Sequence, residues 1–243
     1  MSADPAIIPL THLALALIPV AMVLAILLRW ALGPLNALYS VARMVLQLAL
    51  IGFLLNAIFN SSNHWLVALV LAAMMLAASW IALGTVDRQR GQLLGRGFVA
   101  ILLGGGSVLL LMVLGVLRES SLFVPRVVIP LAGMIFAGAM NSISLAAERA
   151  HAELGRGETL LTARNAAMQT AMIPVINSMF AVGLVSLPGM MTGQILSGVS
   201  PLIAARYQVM VMCMLFGASG LTTALFLKLA LPLMRDGKSA VNA

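Results

Sequence analysis

Gly183–Pro201 reads GLVSLPGMMTGQILSGVSP, an apolar run broken by Gly183, Gly189, Gly193 and Gly198, with Gly217 further on, and by Pro188 and Pro201. Each proline removes a backbone donor and each glycine weakens a helix, so a plain spanning helix avoids this density. Broken backbone at membrane depth persists only where protein or a water-filled cavity satisfies the freed polar groups. Residues 183–201 therefore read as a bent or re-entrant, gate-like element beside a passage for a solute. The alternative is a loop between two ordinary helices.

The surrounding chain sets that depth. Of its 243 residues 62% are hydrophobic and only 9% charged, against roughly 25% charged in a soluble domain. This composition makes an all-α, polytopic integral membrane protein, one transmembrane domain over residues 1–243. The net charge of +7 forms no dense stripe, which excludes nucleic acid as the partner and leaves the lipid bilayer. One cysteine, Cys213, excludes a disulfide framework and a cysteine metal cluster. The amino-terminal segment has Asp4 before its apolar core and Arg29 after it, the reverse of a signal peptide.

Seven stretches are long enough to cross about 30 Å of hydrocarbon at roughly 20 residues each. They run from about Leu10 to Leu28, with a kink expected at Pro19, then Leu38 to Phe59, Trp65 to Leu83, Phe98 to Leu117, Val127 to Ala147, Ala166 to Leu187 and Tyr207 to Leu231. With the amino end outside and the carboxyl end cytosolic, all of the 14 basic residues except Arg118, Arg126 and Arg206 fall on the cytosolic side. The positive-inside rule selects that orientation. Small residues mark expected helix contacts: Ala73, Ala77 and Ser79 in the third span, Gly133, Ala137 and Gly138 in the fifth. Gly104-Gly105-Gly106 lacks the Lys and Ser/Thr of a phosphate loop and reads as close packing or a flexible point.

Residues 148–165, ERAHAELGRGETLLTARN, form the longest cytosolic segment. Gly155 and Gly157 interrupt it, and a helical pattern resumes at Glu158 with Leu160 and Leu161. A short amphipathic helix here suits docking into a groove on another protein, and a solvated loop is the alternative.

All seven acidic residues lie outside the spans. Ion-coupled carriers place ionisable groups inside them, so the choice narrows to a passive pathway or a pump energised by a separate subunit. Asn177 and Ser178, one turn after Pro174, are the polar candidates for lining a solute path, with interhelical hydrogen bonding as the competing role. Arg43 and Arg206 either snorkel to headgroups or attract an anionic solute. The 17 methionines include Met190 and Met191. Thioethers bind Cu(I), but methionine also fills irregular packing, and the sequence leaves both readings open. The three histidines are too scattered for a site.

IPVINSMFAVGLVSLPGMMTGQILSGVSPLIAARYQVMV, from Ile173 to Val211, resembles the signature region of the FetB/YbbM (UPF0014) family of iron-export permeases, to which the plant ALS/STAR aluminium-tolerance permeases are related. The likeness is densest from Gly183 to Val211 and extends to IPLAGMI at Ile129–Ile135. It implies the permease subunit of an ABC-type exporter in a bacterial inner membrane, not itself an enzyme. Two permease subunits would pair with two cytosolic ATP-binding subunits, which hold the ATP and Mg. It further implies that residues 148–165 couple to the ATPase, through Glu148, Glu153, Leu154, Gly155 and Glu158. Pro174, Asn177, Ser178, Pro188, Gly189, Met190, Met191 and Gly193 would line the path or gate. The family pattern carries an Asp and a Lys where this chain has Asn177 and Phe180. A metal is the expected substrate, iron first. A nucleotide sugar or other small metabolite is the alternative within this class, and an autonomous channel or carrier is the alternative outside it.

Overall fold

Proline and glycine positions set where the helices begin and end. The computed structural model describes residues 9–59, 63–119 and 123–239. It is all-α and divides into two compact units, Met1–Ser62 and Asn63–Ala243.

In the first unit, α1 (Leu10–Leu15) and α2 (Leu17–Arg29) are parted at Ala16. The ring of Pro19 crowds the carbonyl four residues before it, that of Leu15, and this places the break expected near Pro19. Trp30–Gly33 then turns the chain, with Ala31 and Gly33 at φ 54° and 64°, into α3 (Pro34–Phe59).

The second unit begins with α4 (His64–Ala82), capped by the Asn63 side chain accepting from the Trp65 N–H at 3.0 Å. A 3-10 turn over Leu83–Gln89 leads into a helix that changes pitch as it runs: α5 (Arg90–Ala100), a π turn at Ile101–Gly105, α6 (Gly106–Leu110) and a second π stretch at Leu111–Val116. Arg90 anchors its start, stacked over Trp80 at 3.9 Å and donating to the Trp80 carbonyl. Three further helices complete the unit: α7 (Pro125–Gly155), α8 (Leu160–Ala181) and α10 (Pro201–Ser239), with the short α9 (Gly189–Leu196) between the last two.

Small side chains hold these helices together. On α8, Ala163, Ala167 and Ala171 are fully or almost fully buried at four-residue spacing, and α7 offers Ala132, Ala139, Ala146 and Ala150. Such ridges let backbones approach closely, so packing contacts stabilise the bundle where lipid removes the hydrophobic drive. Gly133 and Gly138 of the expected contact set do sit at interfaces: a Cβ at Gly138 would lie 3.3 Å from Ser219 Oγ on α10, and one at Gly133 would lie 3.5 Å from Met74 on α4. Ala137 does not, being exposed. In α4 the buried small residues are Ala78, Ser79 and Ala82, while Ala73 and Ala77 are exposed. Small residues alone do not fix a helix's rotation.

Among the described residues, six helices are long and apolar enough to cross a membrane. The sixth expected span, Ala166–Leu187, is α8, which starts six residues earlier and ends at Ala181. Arg164, Asn165 and Gln169 lower its apolarity, yet at 22 residues it is about 33 Å long. It lies beside α10 from one end, where Leu161 and Leu231 line one groove, to the other, where Ser178 and Gln208 line one cavity.

The expected short amphipathic helix within residues 148–165 is absent as a separate element. Instead α7 continues through Gly155 and α8 starts at Leu160, so the segment is two helix ends and a tight turn. Only Gly157 adopts a left-handed conformation, at φ 84°. Thr159 caps α8 by accepting from the Thr162 N–H at 3.2 Å. With 31 residues α7 is about 46 Å long, longer than about 30 Å of hydrocarbon.

Candidate functional site

The stretch from Val182 to Ser200 is neither a plain loop nor a spanning helix. Val182 leaves α8 in an extended conformation, Gly183 turns left-handed at φ 84°, and its N–H donates to the Ser186 carbonyl at 3.0 Å. Pro188 then caps α9, and its carbonyl accepts from the Thr192 N–H and hydroxyl at 3.0 and 3.2 Å. Gly198, at φ 89°, reverses the chain into α10. Turn, short helix and turn together make the bent element that the punctuation implied.

Nothing lies within 4 Å of a Cβ built at Gly183 or Gly198, so backbone conformation alone penalises a side chain there. Gly183→Ala and Gly198→Ala are each expected to cost about 1–2 kcal/mol, read as a lower melting temperature in detergent. Unchanged melting would mean these turns relax without cost.

Residues of this element line part of a cavity of about 500 Å³. One stripe of each long helix lines it. From α7 come Met134, Gly138, Asn141, Ser142 and Leu145; from α8, Ala171, Pro174, Val175 and Ser178; from α10, Gln208, Val211, Met212, Leu215 and Ser219. Spacings of three and four residues put each set on one helix face. Val182, Ser186, Pro188, Gly189 and Met190 complete the lining. Its polar groups are amides and hydroxyls, and no ionisable side chain is among them. Gln208 is 7% exposed, and its Oε1 has no hydrogen-bond partner.

Of the path residues expected from the sequence, Pro174, Ser178, Pro188, Gly189 and Met190 thus meet around one cavity, while Asn177, Met191 and Gly193 stand outside its lining. Asn177 is exposed on another face of α8. Pro174 frees the carbonyl four residues before it, that of Thr170, so Ser178 is not placed at a freed acceptor; its hydroxyl donates to the Pro174 carbonyl at 2.8 Å. Asn141, Ser142, Gln208 and Ser219 are the polar lining residues on α7 and α10, all outside that expected set. Their signal was a polar group at helical spacing on otherwise apolar spans.

Of the residues expected to couple, Glu148, Glu153, Leu154 and Gly155 lie in the last turns of α7, and Glu158 lies in the α7–α8 turn. Glu148, Gly155 and Glu158 are exposed, and Leu154 packs half-buried against the core. Glu153 is buried, its Oε1 held by Arg149 at 2.7 Å and Arg156 at 3.1 Å. It shapes the end of α7 more than it offers a surface. Arg206 is exposed and outside the cavity lining. Among the described residues no group of three or more His, Cys, Asp or Glu side chains is placed to hold a metal ion.

The sequence matches the family described as "Uncharacterised protein family (UPF0014)" over residues 10–164 and 156–234. It is 35% identical over 203 residues to the "UPF0014 membrane protein slr1647" of Synechocystis, covering 76% of this chain and 78% of that one. It is 33% identical over 230 residues to the "Probable iron export permease protein FetB" of Escherichia coli, covering 87% and 85%. With "Protein ALUMINUM SENSITIVE 3" of Arabidopsis thaliana it shares 37% identity over 200 residues, covering 75% and 71%. No solved structure matches. Long apolar helices, a cavity among them carrying a few amides and hydroxyls, and this coverage agree: the chain is a multi-pass, permease-like membrane protein belonging to the UPF0014 family.

Proposed function

We propose that this chain is the permease subunit of an ATP-driven, ABC-type exporter of a metal ion in a bacterial inner membrane, energised by a separate cytosolic ATP-binding subunit that holds the ATP and Mg. Two permease subunits would form the assembly. The observation that carries this reading is the cavity among α7, α8 and α10, bordered by Val182–Met190, whose polar and soft groups are amides, hydroxyls and thioethers without an ionisable side chain. A carrier driven by protons or sodium needs a titratable or anionic group on its path, and this lining offers none. The energy then comes from elsewhere, and the α7–α8 turn, beyond the apolar length of both helices, is the surface for receiving it. The similarity to the probable iron export permease of Escherichia coli supports export of a metal. A nucleotide sugar fits less well, because no Lys or Arg lines the cavity to offset a diphosphate.

Ser178→Trp tests the passage. A large ring on that face of α8 fills the cavity, and partner-driven transport in proteoliposomes is expected to fall to background with the melting temperature little changed. Co-purification of a nucleotide-binding protein, with solute-stimulated ATP turnover, is the matching result for the partner. Full-rate downhill flux through the chain alone would instead make it an autonomous channel.

A further inference from the structure

A second cavity, of about 440 Å³, adjoins the first in the same unit and is lined in part by Glu119, Arg126 and Tyr207. Met134 on α7 and Met190 on α9 line both cavities. Met212 lines the first and Met210 the second, so thioethers recur on both sides of the shared wall. We infer that Met134 and Met190 form a soft-metal relay in that wall, passing a monovalent ion of the Cu(I) or Ag(I) class between the two cavities. This rests on the reading of the first cavity as the solute passage.

Two physical facts select that class. Thioether sulfur is a soft donor that favours Cu(I), whereas iron in either oxidation state wants oxygen or imidazole. The first cavity offers no carboxylate, imidazole or thiolate. Charge points the same way. The Born cost of taking an ion out of water grows with the square of its charge, so a cavity without an anion can hold a single charge but not a trivalent ion. Methionine's three rotatable bonds suit transfer from one sulfur to the next, since each can swing without moving backbone.

Packing is the competing role for these methionines, and Met→Leu separates the two because it conserves volume. The full chain is titrated with Cu(I), kept reduced under anaerobic conditions, against a chromophoric Cu(I) chelator. A Cys213→Ser background removes the exposed thiol, the chain's one cysteine. One Cu(I) per chain is expected. Met134→Leu/Met190→Leu should weaken its binding by about tenfold or more, a loss of the size produced by disturbing groups that hold a metal, with the melting temperature unchanged. Met44→Leu/Met179→Leu, at exposed methionines outside both cavities, should bind as the parent does. X-ray absorption at the copper edge should show sulfur neighbours that the first double variant loses. Absence of Cu(I) binding, or equal affinity in the two double variants, overturns the relay. Binding is read without partner or ATP, so the outcomes separate. Cu(I) held by Met134 and Met190 while Ser178→Trp leaves transport intact would refute the passage. Transport blocked by Ser178→Trp with no Cu(I) bound would refute the soft-metal assignment alone.

Discussion

Gly104→Ala is expected to cost about 3 kcal/mol or more, at or above the upper end for an overpacked core, and to leave little folded protein in detergent. A Cβ at Gly104 would lie 2.6 Å from Thr222 Oγ1 and 2.7 Å from both the Cα and N of Thr222. Two of those three atoms are backbone of α10, so no rotamer change relieves the clash and the helices must part. The neighbouring glycines grade the effect. A Cβ at Gly105 meets Ile135 Cγ2 at 3.0 Å, an atom that can give, and one at Gly106 meets only Leu102 Cδ1 at 4.0 Å. Melting temperatures of the three alanine variants should therefore fall in the order Gly104, Gly105, Gly106, with Gly106→Ala close to the parent. Thr222→Ala should not rescue Gly104→Ala; rescue would show that the hydroxyl alone, and not the backbone, sets the approach.

Glu153→Gln is expected to lower partner-stimulated ATP turnover by about tenfold or more, within the usual range of coupling between sites. Its stability cost should stay near 1 kcal/mol or below. Arg149 and Arg156 are 42% and 65% exposed while Glu153 is 8% exposed at its side chain, so water compensates the arginines when the carboxylate goes. What is lost is the clamp that fixes the last turn of α7 against the α7–α8 turn. Glu148 and Glu158 are exposed and act differently. Glu148→Gln and Glu158→Gln should weaken association with the partner in a salt-dependent way, leaving turnover at saturating partner unchanged. Full turnover in Glu153→Gln would show that the end of α7 does not transmit the partner's motion.

Much of the fold was legible because lipid tolerates few solutions. Long apolar runs become helices, and Pro19, Gly183, Pro188 and Gly198 placed breaks that the structure reproduces. The glycine triplet was readable as close packing, but nothing in the sequence said that Gly104 alone faces α10 backbone. Part of the cavity was legible for a similar reason. Pro174, Ser178, Pro188, Gly189 and Met190 stand out in sequence, whereas Gly138, Asn141 and Gln208 lie on other long helices and meet them only through packing. Asn177 shows the limit: it neighbours Ser178 in sequence, yet one residue rotates the helix by about 100°, enough to turn it out of the lining.

Composition and turn chemistry alone therefore settle that this is an all-α, multi-pass membrane protein, and where its backbone breaks. Packing alone decides which face of each helix looks inward, that Glu153 is clamped and not presented, and that Met134 joins Met190. The physical reason is one of range. Helix formation and chain reversal are governed by neighbours within a few residues, whereas rotation about a helix axis is fixed by close contacts with helices far away in sequence.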